Sequence, residues 1–549
     1  MDKPLSKLAE YLVSVFEKDE PFIQDKKISV NPFISKFASW YEKVRNAMDY
    51  REEEVILRAA IERILKRRVL LGGTGKTVAE PLVRELVWAR YFPDESLSES
   101  ILSEIETEID LYLRLREVIL NKAMLPEKKA NEWMYHLLSS SMENTLHPNF
   151  KKEAMINFMF QIINQSIVIE DDTSQTRDAQ VFIAIRKSFA KDDLAFLRYH
   201  LFKQFYGKIS PENIDEVSKD FLRGYKEIEY QLSYPRKDRI LNYIRRRTAL
   251  FFILEDLLHM QKGKIRELYK SSTFSPRNTG PEGEISSARN LEKVLDKEEK
   301  NFKKIVYEIC SYRYRGIASK VKRAIIRSVI FIILTKAFFA LAIEGTFERL
   351  IYGQVLWSSI LLNTGMSPVI MMLASAFIRT PGRDNSERIY NAINGVLTEE
   401  DPRLGAPLQI KKAADKNKSF MNTIFTLLWI VTFFLMFGVM SYILTRLNFN
   451  IVSQAVFIFF LAVVSFLTYR INQSSKIYTL GVKKTPTTPI VDFLFMPFVQ
   501  VGRKLTEGVR QINILLFILD FAIETPFKGL FGFFEQWFLF LQVKREQME

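Results

Sequence analysis

Residues Met421–Leu444 form one uncharged stretch, and it limits what the chain can fold into more than any other feature. The stretch, MNTIFTLLWIVTFFLMFGVMSYIL, contains no Asp, Glu, Lys or Arg. As a helix rising about 1.5 Å per residue, it would be longer than the hydrocarbon core of a bilayer, which is about 30 Å thick. Moving its Leu, Ile, Phe and Val side chains into lipid is worth roughly −4 to −8 kcal/mol. The stretch therefore predicts a transmembrane helix.

A second uncharged run, Ile451–Tyr469, begins after the short segment Thr445–Asn450. Two spanning helices joined by so short a segment form a transmembrane hairpin. Two further apolar runs, residues 325–343 and 351–378, precede this hairpin. The sequence therefore predicts four transmembrane helices.

The first predicted span, residues 325–343, carries Lys336 near its middle. A central Lys costs about 2.5 to 3.5 kcal/mol, against roughly −4 to −7 kcal/mol from the apolar residues of the run. We therefore expect this span to insert together with the second one, residues 351–378, where Gly365 and Pro368 mark places to tilt, kink or unwind. The short turn predicted between the two spans holds Glu344, Glu348 and Arg349.

Lys and Arg are distributed unevenly between the two ends of these spans. The loop 379–420 and the segments that flank the bundle are rich in both, whereas the two short turns at the opposite ends hold only Arg349 and Arg446. The positive-inside bias therefore predicts that the loop and both termini are cytoplasmic. Basic residues beside a bilayer attract anionic lipid at about 1 kcal/mol each. The expected lipid contacts are Lys320, Lys322, Arg323, Arg327, Lys411, Lys412, Lys483 and Lys484.

The first half of the chain, residues 1–270, has helical periodicity and few strand signals. Apolar side chains recur at helical spacing, for example at Leu57, Ala60, Ile61 and Ile64. Prolines stand where helices would begin, because a first turn does not need the proline N–H. The predicted helices are 4–17, 32–70, 76–91, 97–122, 126–140, 148–168, 178–206, 211–233 and 237–268. This half predicts a soluble multi-helix domain.

Three segments outside the spans complete the predicted organisation. Residues 271–290 concentrate Ser, Pro and Gly without periodicity, which is typical of a flexible linker. Residues 291–324 predict a basic juxtamembrane helix. The last region, 470–549, has apolar runs too short to cross, at 512–523 and 527–541, and predicts interfacial amphipathic helices. The predicted fold class is all-α: an N-terminal multi-helix cytoplasmic domain, a four-span transmembrane bundle and C-terminal interfacial helices.

The net charge and the cysteine content indicate which class of partner and which cellular compartment to expect. The net charge of +14 and the pI near 9.4 predict anionic partners. Lipid is favoured over nucleic acid because the basic residues flank the spans and no RNP, helix-turn-helix or zinc-finger pattern is found. A protein partner or self-association is also expected. No cofactor is expected. The single cysteine, Cys310, excludes an internal disulfide framework. No signal or organelle-targeting pattern is found, which favours a prokaryotic plasma membrane.

Residues Leu71–Thr77 (LGGTGKT) match the end of a phosphate-binding P-loop. A P-loop needs Gly, four residues, then Gly-Lys-Ser/Thr, between a strand and a helix. Gly75, Lys76 and Thr77 fit this pattern, but Leu occupies the first glycine position and the preceding segment predicts a helix. The favoured interpretation is a turn between two helices, and nucleotide binding by Gly75, Lys76 and Thr77 is the alternative.

The four histidines, His136, His147, His200 and His259, are candidate metal ligands. His136, His147 and His259 each have a Glu four residues earlier, which places each pair on one helix face. A ferritin-like site uses Glu and His three residues apart together with further carboxylates. The sequence therefore predicts surface pairs rather than a metal site, and no Ser-His-Asp or Cys-His set can be assembled.

Lys336 is the intramembrane residue most in need of an explanation. Counting equal depth across the predicted turn places it level with Ser359, and Ser359, Asn363 and Ser367 follow at four-residue steps on one helix face. These residues form either a polar track for transport or hydrogen bonds between packed helices, with Lys336 snorkelling or bonded to a backbone carbonyl.

Three functional hypotheses follow from these patterns. The first is a non-enzymatic membrane scaffold or interaction protein, because the chain has a large soluble region, basic flanks and no catalytic constellation. The second is a transporter or channel component that uses Lys336 and the polar face of the second span. The third is a nucleotide-dependent membrane protein that uses the P-loop-like turn.

Overall fold

Helices account for 80% of the structure, which makes the chain nearly all-α and confirms the predicted class at this level. The computed structural model describes residues 5–18, 27–48, 53–70, 72–170, 172–260, 281–353, 355, 357–402, 404–410, 416–481, 488–511 and 525–546. The predicted lipid contacts Lys411, Lys412, Lys483 and Lys484 lie outside these residues, as do 271–280 of the predicted linker and the whole apolar run 512–523.

The first half of the chain contains eleven described helices and one short strand. They are α1 (Lys7–Glu17), α2 (Pro32–Met48), α3 (Ile56–Leu70), α4 (Gly75–Trp88), α5 (Ile101–Asn121), α6 (Glu127–Leu146), α7 (Phe150–Asn164), β1 (Ile167–Ile169), α8 (Ser174–Ile185), α9 (Leu194–Tyr206), α10 (Ile214–Ser233) and α11 (Lys237–Arg245). A 3₁₀ turn, Glu53–Val55, precedes α3, and a π-helical turn, Arg186–Ala190, follows α8.

The second half contains longer helices. They are α12 (Thr248–Met260), α13 (Pro281–Phe339), α14 (Thr346–Tyr352), α15 (Trp357–Ala376), α16 (Arg383–Thr398), α17 (Lys416–Arg446), α18 (Ile451–Ser475), α19 (Thr488–Gln511) and α20 (Thr525–Glu546), with a second short strand, β2 (Leu408–Ile410). A π-helical segment, Ala340–Gly345, joins α13 to α14 without a break.

The chain divides into two compact units. We call Tyr11–Val168, Asp172–Arg245 and Asn513–Glu549 the helical unit. We call Met1–Glu10, Ile169–Asp171 and Arg246–Ile512 the membrane unit. Helix α12 belongs with the membrane unit, where it packs on α13 and α16, although the sequence extends the soluble domain to residue 270.

The apolar core of the helical unit lies mainly among α3, α4, α5, α6, α9 and α10. Trp133 on α6 is fully buried, and its ring lies 6.0 Å from that of Phe221 and 5.0 Å from that of Tyr225, both on α10. Ile61 and Ile64, which the periodicity places on one apolar face, are both buried. The helical spacing in the sequence therefore reports the face that each helix turns toward its core.

Two of the predicted helices in this unit are each divided in the structure. Residues 32–70 form α2 and α3 rather than one helix. Residues 178–206 form α8 and α9, and the chain turns at Lys191, whose backbone is left-handed with φ +62°. Asp193 then caps α9, because its side chain accepts a hydrogen bond from the Phe196 N–H at 3.1 Å.

Among the described residues, three helices are long and apolar enough to cross a membrane, which indicates a membrane protein. They are Phe302–Ile351, Thr423–Arg446 and Ile451–Ser475. The predicted second span corresponds to α15, whose apolar part, Ile360–Ala376, is shorter than the other three. Pro368 lies inside α15, and the helix continues through it.

The turn between the first two predicted spans lies later in the chain than the sequence indicates. Residues 344–350 are helical, and the helix ends at Tyr352, where Gly353 adopts a left-handed backbone with φ +71°. Glycine accepts this conformation without the steric cost that a Cβ would add. At its other end, α13 begins at Pro281, so residues 281–290 of the predicted linker are helical.

Helix α19, which the sequence assigns to an interfacial region, packs closely along α18. A Cβ at Gly502 would lie 2.0 Å from the Ala462 carbonyl oxygen, so the two backbones meet at this glycine. Phe498 is fully buried, and its ring centroid lies 4.8 Å from that of Phe437 on α17. Small residues allow helices in membranes to approach in this way.

Candidate intramembrane polar site

Lys336 lies at the centre of a buried polar cluster in the membrane unit. Its Nζ donates hydrogen bonds to Asn363 Oδ1 at 2.8 Å and to Ser367 Oγ at 3.1 Å, both on α15. The Nζ atom also lies 5.3 Å and 4.9 Å from the ring centroids of Phe457 and Phe460 on α18, which is cation–π distance. Lys336 is 0% exposed. Its ammonium is therefore held by protein groups rather than by solvent.

Glu344 belongs to the same cluster, although it does not contact Lys336 through a direct hydrogen bond. Its Oε2 accepts hydrogen bonds from Asn363 Nδ2 at 2.7 Å and from Ser453 Oγ at 2.8 Å. Asn363 Nδ2 also lies 3.2 Å from the Ser453 carbonyl oxygen. The Asn363 amide thus accepts from the ammonium and donates to the carboxyl group, and it joins two side chains of opposite charge.

The other carboxyl oxygen of Glu344 lacks such partners. Its Oε1 is buried and accepts no hydrogen bond from the residues that the structure describes. A buried polar atom without a partner costs about 1 to 3 kcal/mol. Such atoms are uncommon in native structures and call for an explanation of their own.

The π-helical segment Ala340–Gly345 brings Glu344 toward the face of Lys336. In a regular α-helix the eight residues from 336 to 344 would leave the two side chains about 80° apart around the axis. A π-helical turn takes up an extra residue, and this reduces the offset. Single π-helical turns recur at functional sites for the same reason, since they reorient one side chain without ending the helix.

A row of polar groups continues from Glu344 toward the turn between α17 and α18. Ser453 N–H donates to Asn450 Oδ1 at 2.8 Å, because Asn450 caps α18. Asn450 Nδ2 in turn donates to Glu348 Oε1 at 2.8 Å. Glu348 is buried, Asn450 is half-buried and Asn448 in the adjoining turn is exposed. The row therefore leads from the buried cluster to an exposed turn.

Apolar side chains close the opposite end of the cluster. Ile332 stands one helical turn before Lys336, and Met371 stands one turn after Ser367. Both are fully buried, and they belong to one apolar core with Val464 of α18. The polar row thus has one end near an exposed turn and one end against a buried apolar layer.

The sequence anticipated part of this cluster. Lys336, Asn363 and Ser367 were expected near one another from equal depth and four-residue spacing, and the structure brings all three together. Ser359 lies on α15, but its side chain is outside the part that the structure describes.

Glu344 and Ser453 were missed. Glu344 was assigned to a turn because local hydropathy cannot show that a charged residue has polar partners on distant helices. A usable signal was present at Ser453, since Asn450 stands three residues before it and marks a helix start.

The P-loop-like segment is a turn between α3 and α4 in the helical unit. The Gly75 N–H donates to Asp110 Oδ1 at 2.7 Å, so a carboxylate already occupies the donor that a phosphate would need. A Cβ at Gly75 would lie 2.2 Å from the Glu106 carbonyl oxygen, which shows that the glycine serves close packing on α5. Lys76 and Thr77 are exposed. This geometry favours the helix-to-helix turn.

Two of the histidines, His136 and His200, lie beside carboxylates of ion-pair networks. In the predicted pair Glu132–His136, Arg198 lies between the two partners, at 2.7 Å from Glu132 Oε1 and 2.9 Å from His136 Nδ1. Burial lowers the pKa of His136, which favours the neutral imidazole. Among the described residues, no group of three or more His, Cys, Asp and Glu side chains is arranged to hold a metal ion.

The helical unit also buries charge, but it does so by direct pairing. Arg58 is 2% exposed and contacts Glu62 Oε2 at 2.5 Å and Asp193 Oδ2 at 2.6 Å. Burial alone would raise the pKa of Glu62, but Lys66 and Arg58 outweigh it and hold the pKa at about 2. Glu62 is therefore a carboxylate at all ordinary pH values.

Glu143 lies near this cluster and behaves differently. Burial raises the pKa of its carboxyl group to about 8. The negative charges of Asp192 and Asp193 also raise this pKa, whereas Arg58 and Lys152 lower it. Its Oε2 is buried and has no hydrogen-bond partner among the described residues. Glu143 is therefore mostly protonated at neutral pH.

The basic residues beside the first predicted span lie on the surface of α13. Lys320, Lys322, Arg323 and Arg327 on α13 are all exposed. Exposure is necessary for a head-group contact but does not establish one, so anionic-lipid binding stays a prediction.

Comparison of the chain with protein-family models, with curated proteins and with solved structures finds no match.

Proposed function

We propose that the protein is a transporter or channel component of a membrane, with Lys336, Asn363 and Ser367 at its working site. The observation that carries this proposal is a fully buried ammonium bonded to Asn363 and Ser367 within the first two predicted spans. A charged side chain at that depth is costly, and such residues in membrane proteins usually mark substrate, ion or proton pathways. Asn450 and Ser453 extend the polar row to the fourth predicted span.

The proposed topology has four spans, with both termini in the cytoplasm of a prokaryote. Helix α15 has 20 residues, and about 1.5 Å per residue gives it a length close to the thickness of the hydrocarbon core. Lys and Arg cluster on the side of the predicted loop 379–420, which supports the orientation.

The proposal is tested with purified full-length protein in liposomes that contain an entrapped pH-sensitive dye and, separately, in planar bilayers in KCl. We expect the wild type to carry protons or ions, and we expect Lys336→Met to lose most of this flux. The matched control is Ser441→Ala, which removes another intramembrane hydrogen bond, to Gln454 at 2.7 Å, outside the cluster. Equal flux in Lys336→Met and wild type, with both proteins folded, would rule the proposal out.

A second candidate function, a membrane interaction protein, is favoured by the uncovered surface of α17. Only 6% of its apolar window is buried within the chain, against 33% for α18. Phe425, Leu427 and Phe434 are among its exposed side chains. A spanning helix so weakly packed on its own chain offers a surface for a second copy of the protein.

Cross-linking in native membranes tests this second candidate. We expect Phe434→Cys, in a Cys310→Ser background, to give a disulfide-linked dimer, and we expect the buried control Phe457→Cys to give none. A Phe434→Cys protein that stays monomeric under oxidation, in membranes and in mild detergent, would contradict self-association through α17.

A further inference from the structure

We propose that Glu344 is the proton-binding group of the intramembrane site, and that Lys336 is a fixed positive charge beside it. This inference deepens the proposed function, because it names the proton as the transported species. It rests on the proposed function only for its transport role, since proton binding can be measured without transport.

Lys336 has both hydrogen-bond and cation–π partners as an ammonium ion. A lysine ammonium has three N–H donors. Asn363 Oδ1 and Ser367 Oγ accept from the Nζ atom, and the rings of Phe457 and Phe460 lie within cation–π distance of it. The loss of a proton would weaken each of these interactions. The site is therefore built to keep Lys336 charged.

Glu344 has no such preference for one state. A carboxylate in a buried site needs donors at both oxygens, whereas Glu344 receives two donors at Oε2 and none from the described residues at Oε1. A protonated carboxyl group needs an acceptor for its hydrogen, and Oε1 has none there either. Each protonation state is short of one partner. This balance suits a group that exchanges a proton.

The surroundings supply one route for that proton. The titratable groups that face Glu344 are Lys336 on α13 and Glu348 on α14, whereas α15 and α18 contribute Asn363 and Ser453, which do not titrate. Glu348 bonds to the half-buried Asn450, so it lies between Glu344 and the exposed α17–α18 turn. The apolar layer at Ile332, Met371 and Val464 separates the cluster from the opposite side.

The proposed step is one proton transfer. A hydronium ion that enters by way of the α17–α18 turn gives its proton to Glu344 Oε1, one O–H bond forms there, and water remains. Release reverses the step. No other bond changes, and the Lys336–Glu344 pair alternates between zero and one positive charge.

Infrared difference spectroscopy on the purified full-length protein in lipid nanodiscs tests the inference directly. Spectra are compared between acidic and alkaline buffer, with ¹³C-labelled glutamate to identify glutamic acid bands. We expect a protonated-carboxyl band that changes with pH in the wild type and is lost in Glu344→Gln, which preserves the shape and the hydrogen bonds at Oε2. Glu348→Gln and the control Ser441→Ala should retain that band. A Glu344→Gln protein with every pH-dependent band of the wild type would overturn the inference.

A second variant keeps the test decisive if Glu344→Gln does not fold. We expect Lys336→Met to shift the pH at which the Glu344 band appears, because it removes the adjacent charge. An unchanged titration in that variant would assign Lys336 a packing role only. A titrating Glu344 without proton or ion flux would reject the transport proposal and leave proton binding at Glu344 standing, and ion flux without proton flux would reject the proton as the transported species. Flux without a titrating Glu344 would reject this inference alone.

Discussion

Both units of the molecule bury charged side chains, but they compensate them in different ways. In the helical unit, Arg58 contacts the carboxylates of Glu62 and Asp193 directly, at 2.5 Å and 2.6 Å. In the membrane unit, Lys336 contacts Asn363, and Asn363 contacts Glu344, so an amide stands between the two charges. Direct pairs fix both partners in their charged forms. A pair separated by an amide leaves one partner able to change its charge while the other keeps its hydrogen bonds.

The largest effect is expected from breaking the direct pairs. Arg58→Met leaves Glu62 and Asp193 without their buried cation, and removal of one partner of a buried ion pair costs about 3 to 5 kcal/mol. Hydrogen–deuterium exchange of α3 and α9 in the full-length protein should show a matching loss of protection.

The matched control for that substitution is Arg223→Ala. Arg223 pairs with Asp220 on the surface, where solvent screens the interaction, so no measurable change is expected. If Arg58→Met and Arg223→Ala caused equal losses of exchange protection, buried pairs in this unit would contribute no more stability than exposed pairs.

A pH-dependent effect is expected at Glu143. Its folded-state pKa of about 8 lies above the ordinary value of 4.5, so the folded state binds the proton more tightly. The resulting stability is fully present below about pH 4.5 and is lost as pH rises toward about 8, on the order of 5 kcal/mol. Thermal unfolding of the full-length protein in detergent, followed from pH 5 to pH 9, measures the slope.

Glu143→Gln should flatten that pH dependence, because the amide does not titrate. The variant should then be more stable than the wild type above about pH 8. A slope identical to that of the wild type would show that Glu143 does not control it.

Each unit contains a glycine that lies against the backbone of a neighbouring helix. Substitution of either glycine by alanine tests this close approach. A Cβ would lie 2.2 Å from the Glu106 carbonyl oxygen at Gly75 and 2.0 Å from the Ala462 carbonyl oxygen at Gly502. We expect Gly75→Ala and Gly502→Ala to lower the free energy of unfolding by about 1 to 3 kcal/mol each, since a backbone must move. The loss of exchange protection should appear in α4 and α5 for the first and in α18 and α19 for the second.

Gly395 on α16 is the control, because a Cβ there meets no atom within 4 Å. Gly395→Ala should stabilise the protein by about 0.5 to 1 kcal/mol through its better helix propensity. Destabilisation by all three substitutions would show that close approach is not the cause.

The smallest effect is expected from removing the amide that joins the two intramembrane charges. Asn363→Ala should lower stability by about 1 to 2 kcal/mol, because hydrogen bonds between helices in membranes average about 0.6 kcal/mol and Asn363 makes several. Unfolding in mixed micelles measures this value. A loss as large as that in Arg58→Met would mean that Asn363 acts as a structural clamp and not as a spacer.

The sequence predicted those parts of the structure that depend on local patterns. Uncharged length located α17 and α18, and proline positions located the starts of α2, α6 and α7, because transfer free energy and first-turn geometry are properties of short segments. Equal depth and helical spacing were enough to bring Lys336, Asn363 and Ser367 together.

The remaining features depend on contacts between distant parts of the chain. The sequence places Glu344 in a turn, because its partners, Asn363 and Ser453, come from two other helices. The Arg58–Asp193 pair joins residues far apart in sequence, and the helical spacing of apolar residues does not predict such a contact. Left-handed residues such as Lys191 end helices at points where composition gives little warning.

The uninterrupted helix Phe302–Ile351 has a mechanical consequence. At about 1.5 Å per residue its 50 residues extend over about 75 Å, more than twice the thickness of a hydrocarbon core. In its first part, Arg313 is held by Asp256 and Tyr314 by Asn385. A continuous helix transmits torque and axial force along its length. Any molecule that twists or pushes this first part would therefore do work on Lys336 and Glu344.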